Sequence, residues 1–251
     1  MRWAALLIVA DVATWAASLI FAQQGAPRAV VIALAYAAIS LLAVCVLYVR
    51  AVDGTNLGPV LKGDRVPWMQ PLFLPFRIVA YSITALARAL HLRDPVISEI
   101  GPGVFMGVRL FSHEGETLRS RNVRCVVDLT AELPTNRTLA RTPFELYALP
   151  TLDRCPPTLD EITRVADWVA ERHAAGEGVY IHCAFGRGRS ATVAAAVCLR
   201  LGWAHGADEA IARVAEKRSV IRVRGAQYAA VHRYAEQLAR DHLLRSEPVQ
   251  R

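Results

Sequence analysis

His182, Cys183, Arg189 and Ser190 are the residues whose types and spacing point most directly to chemistry. They stand in the run His182-Cys183-Ala184-Phe185-Gly186-Arg187-Gly188-Arg189-Ser190, where five residues separate a thiol from a guanidinium. A loop of that length wraps a tetrahedral dianion. Gly186 and Gly188 let the backbone turn its N–H groups inward where a Cβ would obstruct it. Arg189 holds two phosphate oxygens at once through its planar fork. The helix expected to start near Arg189 adds its positive end, and that field favours a thiolate at Cys183. The chemistry implied is nucleophilic attack on a phosphate ester. The departing alkoxide then needs a proton, and Asp153 is the candidate donor, 30 residues before Cys183 on a Pro-flanked loop. Asp160 is the rival, although at a predicted helix start a carboxylate has an ordinary role with the helix dipole.

These residues need a scaffold, and the flanking pattern supplies one. Apolar, β-rich runs predict strands at Val104–Met106, Val123–Asp128, Glu145–Ala148 and Val179–His182. Helical periodicity predicts helices at Glu114–Ser120, Leu159–Ala174, Arg189–Leu201, Ala207–Lys217 and Gln227–Leu244. Alternating strands and helices make this an α/β domain, with helices layered on a twisted sheet.

The signature resembles that of the cysteine-dependent protein tyrosine phosphatase superfamily: His-Cys, five residues, Arg, then Ser or Thr. Within it the chain is most similar to dual-specificity phosphatases of the mitochondrial phosphatidylglycerophosphate phosphatase group and their bacterial relatives. Three segments carry that likeness: Leu149-Pro150-Thr151-Leu152-Asp153 with Pro157-Thr158-Leu159; the signature continued through Ala191-Thr192-Val193; and Asp208-Glu209-Ala210-Ile211, Arg218-Ser219, Arg224 and Gln227. A rhodanese-like or arsenate-reductase-like loop competes, but loop length and the flanking His and Ser argue against it. The resemblance implies a three-layer protein tyrosine phosphatase fold, a mixed central sheet flanked by helices, with the nucleophile at the carboxyl end of a central strand. It implies a phosphocysteine intermediate at Cys183, Asp153 as acid and then base, Ser190 assisting the leaving thiolate, and His182 orienting the loop. No metal or cofactor is expected. Substrate would be held by Ala184, Phe185, Gly186, Arg187 and Gly188 of the loop and by Arg224 at its rim. Arg187 and Arg224 suit a second negative charge, as on a lipid phosphate among other headgroup charges. Relatives often carry a basic residue where this chain has Ala184, which leaves a protein phosphatase acting on Tyr, Ser or Thr as the alternative. A non-catalytic phosphate-binding scaffold would be expected to lack Cys183, Arg189 or Asp153, and all three are present.

Outside the resemblance, composition is uneven. Residues 3–22 carry one charge, Asp11, and residues 29–49 none. Each run is long enough to cross a hydrocarbon core of roughly 30 Å. The polar connection from Gln23 to Arg28 reads as a hairpin turn, and the first run is too long for a signal peptide's apolar core. From Arg77 onward, Arg77, Tyr81, Thr84 and Arg88 recur at helical spacing among Ile78, Val79, Ile83, Leu86 and Leu90, which predicts an amphipathic helix in the interface plane. The expected organisation is an anchor of two transmembrane helices over 1–50, a linker with the interfacial helix over 51–91, a phosphatase domain over 92–245 and a tail over 246–251. Residues 1–91 hold seven Arg/Lys against three Asp, concentrating basic charge beside the spans. The positive-inside rule then puts the catalytic part, with the N-terminus, on the cytoplasmic side of a bacterial-type inner membrane, against anionic headgroups. No nucleic-acid motif is present. Asp11 is expected to have a packing role, either pairing with Thr14 or Ser40 or sitting protonated in the two-helix interface. Five cysteines are an odd count and read as reduced. Cys45, Cys125 and Cys198 fall in apolar elements, whereas Cys155, two residues past Asp153, is placed to form a protective disulfide with Cys183.

Overall fold

The structure is a computed structural model that describes residues 2–51, 54–90, 95–111, 114–135 and 144–246. The boundary expected at 91–92 and the tail after residue 246 lie outside the described residues. Contacts divide the chain into two compact units, Met1–Leu90 with Ala131–Leu133, and His91–Thr130 with Pro134–Arg251.

The first unit is helical. Helices α1 (Arg2–Gln23) and α2 (Arg28–Arg50) form a hairpin through a turn in which Gly25 takes φ +73°. Short α3 (Gly58–Lys62) and two 3₁₀ turns lead to α4 (Leu74–Leu90). Three segments, Ala5–Gln23, Arg28–Arg50 and Pro67–Leu90, are long and apolar enough to cross a membrane. Their large apolar side chains point outward, among them Leu6, Val9, Leu19, Ile32 and Val49. That inverts a water-soluble bundle and suits lipid. Asp11 is buried, but its Oδ1 has no partner: the Thr14 hydroxyl donates to Ala10 O at 2.8 Å, and the Ser40 hydroxyl accepts from Phe76 N at 3.4 Å. Either hydroxyl was a candidate partner for Asp11, and each is bonded to a backbone group instead.

Helix α4 follows the same inversion. Ile78, Val79, Ile83, Leu86 and Leu90 are exposed, while Thr84 on the polar stripe is buried and donates to Ala80 O at 2.8 Å. Arg77 donates through Nη2 to Leu61 O at 2.5 Å and Lys62 O at 2.8 Å, and through Nη1 to Gln70 Oε1. Arg77 and Thr84 of the stripe therefore face protein, while Tyr81 stays exposed.

The second unit is built on a mixed five-stranded sheet. Its strands are β1 (Ile97–Gly101), β2 (Val104–Val108), β3 (Val123–Thr130), β4 (Glu145–Thr151) and β5 (Gly178–Cys183), in the order β1-β2-β5-β3-β4. Only β1 runs antiparallel. Short α5 (Gly115–Arg119) covers one face; α6 (Leu159–Ala174), α7 (Arg189–Arg200), α8 (Ala207–Lys217) and α9 (Ala226–Ser246) cover the other. The pleat sorts the strands: Val104, Met106, Val179 and Ile181 join the larger core, and Phe105, Val126 and Tyr180 the smaller one. Helix α7 is buried from Arg189 to Leu199, and its alanines 191, 194, 195 and 196 let sheet and neighbouring helices approach on all sides. This is the three-layer arrangement expected from the sequence. Strand β1 was not anticipated, because Ile97-Ser98-Glu99-Ile100-Gly101 is a short, polar edge strand.

Candidate active site

Strand β5 lies at the centre of the sheet and ends at Cys183, paired with Val108 of β2. The chain then turns through residues 184–188 and enters α7 at Arg189. Gly188 precedes α7 without a capping side chain, so the helix's first N–H groups are left to the loop. Gly186 takes φ +62°, and a Cβ there would come within 2.5 Å of the Gly107 backbone. A Cβ on Gly188 would come within 2.9 Å of Gln227 Oε1. Glycine is thus required at 186 by its backbone angle and by the Gly107 backbone, whereas at 188 only the end of the Gln227 side chain would have to shift.

Cys183 is 3% exposed, and its Sγ lies 3.3 Å from Ser190 Oγ. Arg189 is 1% exposed and gathers three elements: Nη1 donates to Thr151 O of β4 at 2.8 Å and to Leu129 O of β3 at 3.3 Å, and Nη2 lies 3.3 Å from Asp153 Oδ1. Asp153 is itself half-exposed. Asp160 is exposed in the first turn of α6, a helix capped by reciprocal bonds between Thr158 and Glu161. The structure thus brings Cys183, Ser190, Arg189 and Asp153 together and leaves Asp160 on its helix. His182 is buried, stacked on Tyr180 with ring centroids 5.7 Å apart, and its Nε2 is 3.8 Å from Asp128 Oδ1. Among the loop residues, Ala184 and Gly186 are buried and Phe185, Arg187 and Gly188 half-buried. Arg224 is exposed, in the turn whose Gln227 reaches the Cys155 carbonyl at 3.4 Å. Cys155 and Cys183 are both free thiols. Burial, then the Asp153 carboxylate, pushes the Cys155 thiol above its ordinary value.

Two buried arginines that sequence reasoning did not assign to the site hold the loop from behind. Arg218 is 1% exposed; its Nε donates to Gly186 O at 2.7 Å, and its Nη1 to Pro95 O at 2.5 Å and Ser98 Oγ at 3.2 Å. The Arg109 backbone N–H donates to Ala184 O at 3.3 Å, and its Nη2 to Pro134 O at 2.9 Å. The loop is also held by Arg222 N–H on Arg187 O at 2.6 Å. With these carbonyls bonded away from the centre, the loop N–H groups are available to an anion.

Away from this site, Cys125, Glu145 and Glu177 bring a thiol and two carboxylates within 4.8 Å at the opposite end of the sheet. Glu145 is paired with Arg172 at 2.7 Å, and Cys125 donates to Glu177 at 3.4 Å. Burial, then the bond to Glu177, pushes that thiol up to about 12. The group is satisfied by protein alone.

The sequence profile of the dual specificity phosphatase catalytic domain matches residues 108–237. The human phosphatidylglycerophosphatase and protein-tyrosine phosphatase 1 is 30% identical over 148 residues, covering 55% of this chain and 73% of that protein. Among solved structures, PTPMT1 in complex with PI(5)P superposes with a TM-score of 0.55 at 25% identity, over 59% of this chain and 99% of that one. Tk-PTP in its active form gives 0.53 at 25% identity, over 57% and 98%.

Proposed function

The chain belongs to the dual specificity phosphatase family and is a phosphoric monoester hydrolase; on that premise, we propose that it is a membrane-anchored enzyme whose substrate is a lipid phosphate. The observation that carries the chemistry is Arg189, which joins the nucleophile's loop to the acid Asp153. Cys183 attacks phosphorus in line, so an S–P bond forms as the P–O ester bond breaks. Loop N–H groups and Arg189 stabilise the equatorial oxygens, and Asp153 protonates the departing alkoxide. Asp153 then takes a proton from water, which attacks the phosphocysteine and releases phosphate, while Ser190 hydrogen-bonds the leaving thiolate from 3.3 Å. His182 acts from the core by orienting the strand end. Asp153→Asn is expected to lower kcat about 10²–10⁴-fold.

The lipid reading is supported by the human relative, named as a phosphatidylglycerophosphatase, and by PTPMT1's complex with PI(5)P. The apolar helices add to it. Arg187 and Arg224 take a second headgroup charge. We read α1 and α2 as the two spans of an anchor over 1–50, α4 as an interfacial helix within 51–91, and the remainder to residue 245 as the catalytic domain, cytoplasmic and beside anionic headgroups. Arg77 supports the interface over a span. It sits in the middle of Pro67–Leu90 and is bonded to the backbone of Leu61 and Lys62, beside a loop carrying Asp64 and Arg65. A charged loop belongs at the surface, because drawing it to the bilayer centre is costly.

A second reading, a protein phosphatase, is favoured by the other half of the human relative's name, protein-tyrosine phosphatase, and by Ala184, buried and uncharged where related lipid phosphatases often carry a basic residue. The test is phosphate release by the full-length protein in detergent from phosphatidylglycerophosphate micelles and from a phosphotyrosine peptide, with Cys183→Ser as background. The lipid reading predicts a preference in kcat/KM of about tenfold or more for the micelle, roughly 1.4 kcal/mol of transition-state stabilisation. A preference for the peptide would make the helices a localisation device and the enzyme a signalling phosphatase.

A further inference from the structure

At the far end of α7 from the phosphate loop, about 17 Å along the helix, α6, α7 and α9 border an open hollow of about 180 Å³. Thr163, Asp167, Arg200, Tyr234, Gln237 and Asp241 line it. Tyr234 is 1% exposed, yet its hydroxyl has no hydrogen-bond partner. Buried hydroxyls are rarely left so, and the exceptions point to a missing occupant. The surrounding groups define what would fit. The Gln237 amide donates one N–H to Thr163 Oγ1 at 3.3 Å, and the Thr163 hydroxyl donates to Leu159 O at 3.0 Å, so that hydroxyl is spent within the protein. Asp167 accepts from Arg200 Nε at 2.5 Å, and the lining carries two carboxylates, Asp167 and Asp241, against one guanidinium. Burial, then the Asp167 charge, pushes the Tyr234 phenol up to about 12, so it remains neutral with oxygen lone pairs to offer.

We propose that this hollow binds a small primary ammonium compound, with the Tyr234 oxygen accepting an N–H bond and Asp241 and Asp167 balancing the charge. No catalytic residue takes part, so the proposal stands or falls separately from the phosphatase reading. The test uses the full-length protein in neutral detergent, titrated with putrescine and with 1,4-butanediol, a neutral compound of similar length, by calorimetry and thermal shift. Putrescine is expected to bind at millimolar concentration or below and the diol not to bind. Tyr234→Phe and Asp241→Asn should each weaken putrescine about tenfold, the size of one charge-assisted hydrogen bond. Both variants should keep wild-type hydrolysis of a small phosphate ester without putrescine, which shows that the fold is intact. Equal binding of the diol, unchanged putrescine affinity in both variants, or no putrescine binding at all would overturn the proposal; the last would leave the hydroxyl to a water.

Discussion

Replacing Arg218 by Met removes a buried charge that touches no substrate, and its consequences divide between stability and catalysis. The wild-type guanidinium makes three hydrogen bonds, to Gly186 O, Pro95 O and Ser98 Oγ, from a position 1% exposed. Bonds from a charged donor contribute about 1.5–3 kcal/mol each, but desolvating the charge offsets much of that. Leaving the acceptors unpaired costs about 1–3 kcal/mol each, and with part regained by burying the Met side chain the net cost is about 3–5 kcal/mol. Against a total stability of about 5–15 kcal/mol, the variant should fold, with Tm lowered by roughly 6–20 °C for a domain of this size. The catalytic effect comes from Gly186. Once its carbonyl is released, the following peptide is free to rotate its N–H out of the phosphate cradle, and one oxyanion donor is worth about 10²–10³ in kcat. The assay is kcat and KM for a small phosphate monoester well below the variant's Tm, with Arg218→Lys alongside. Lys keeps the charge but cannot serve both the loop and the Pro95–Ser98 segment, so it should fall between wild type and Met. A Met variant with lowered Tm but kcat within about twofold of wild type would refute the tether, leaving Arg218 a structural residue only.

Gly186→Ala should be more severe in activity than in stability: the left-handed angle costs about 1–2 kcal/mol, and the clash with Gly107 displaces the loop, so kcat/KM should drop at least 100-fold. Alkylation should separate the cysteines. Burial pushes Cys198 up to about 11 and Cys125 up to about 12, so at pH 8 only about one Cys198 in a thousand is thiolate. Iodoacetamide followed by mass mapping should therefore mark Cys183 and spare both. Their neutral forms stabilise the fold fully below about pH 9, and that contribution should be lost as pH rises through 11, visible as a falling Tm. Membrane topology is open to the same chemistry. With α4 in the interface, single cysteines introduced at Gln24 and Glu236 react from opposite sides of a sealed vesicle, whereas a spanning α4 puts both on one side.

Much of the site was legible because its chemistry is local. Cys183, Gly186, Gly188, Arg189 and Ser190 lie within one strand–loop–helix, and the loop's spacing reports its purpose. Helices α6 to α8 were also legible, since helical periodicity runs along all three and α6 adds a capping box at Thr158 and Glu161. What escaped depended on distance in sequence or on the solvent. Arg218 stands in a segment that carries the family likeness, but its role is invisible until the fold carries it onto Gly186, Pro95 and Ser98, the last two more than a hundred residues earlier. Arg109 is similar, since only strand pairing places it beside Ala184. Strand β4 runs on to Thr151, past the expected end at Ala148, because Thr151 pairs with Thr130 and turns its carbonyl to Arg189. In α4 the polar stripe was visible, but its direction was not: Arg77 and Thr84 turn toward protein, and the apolar face is left outward.

The most direct measurement is a rapid-quench reaction of the full-length protein with a ³²P-labelled substrate, followed by mapping of the labelled peptide. A phosphocysteine route predicts a burst of label on Cys183, stable to acid, abolished in Cys183→Ser and slower to form in Asp153→Asn. Label on another residue, or turnover at the wild-type rate in Cys183→Ser, would contradict it.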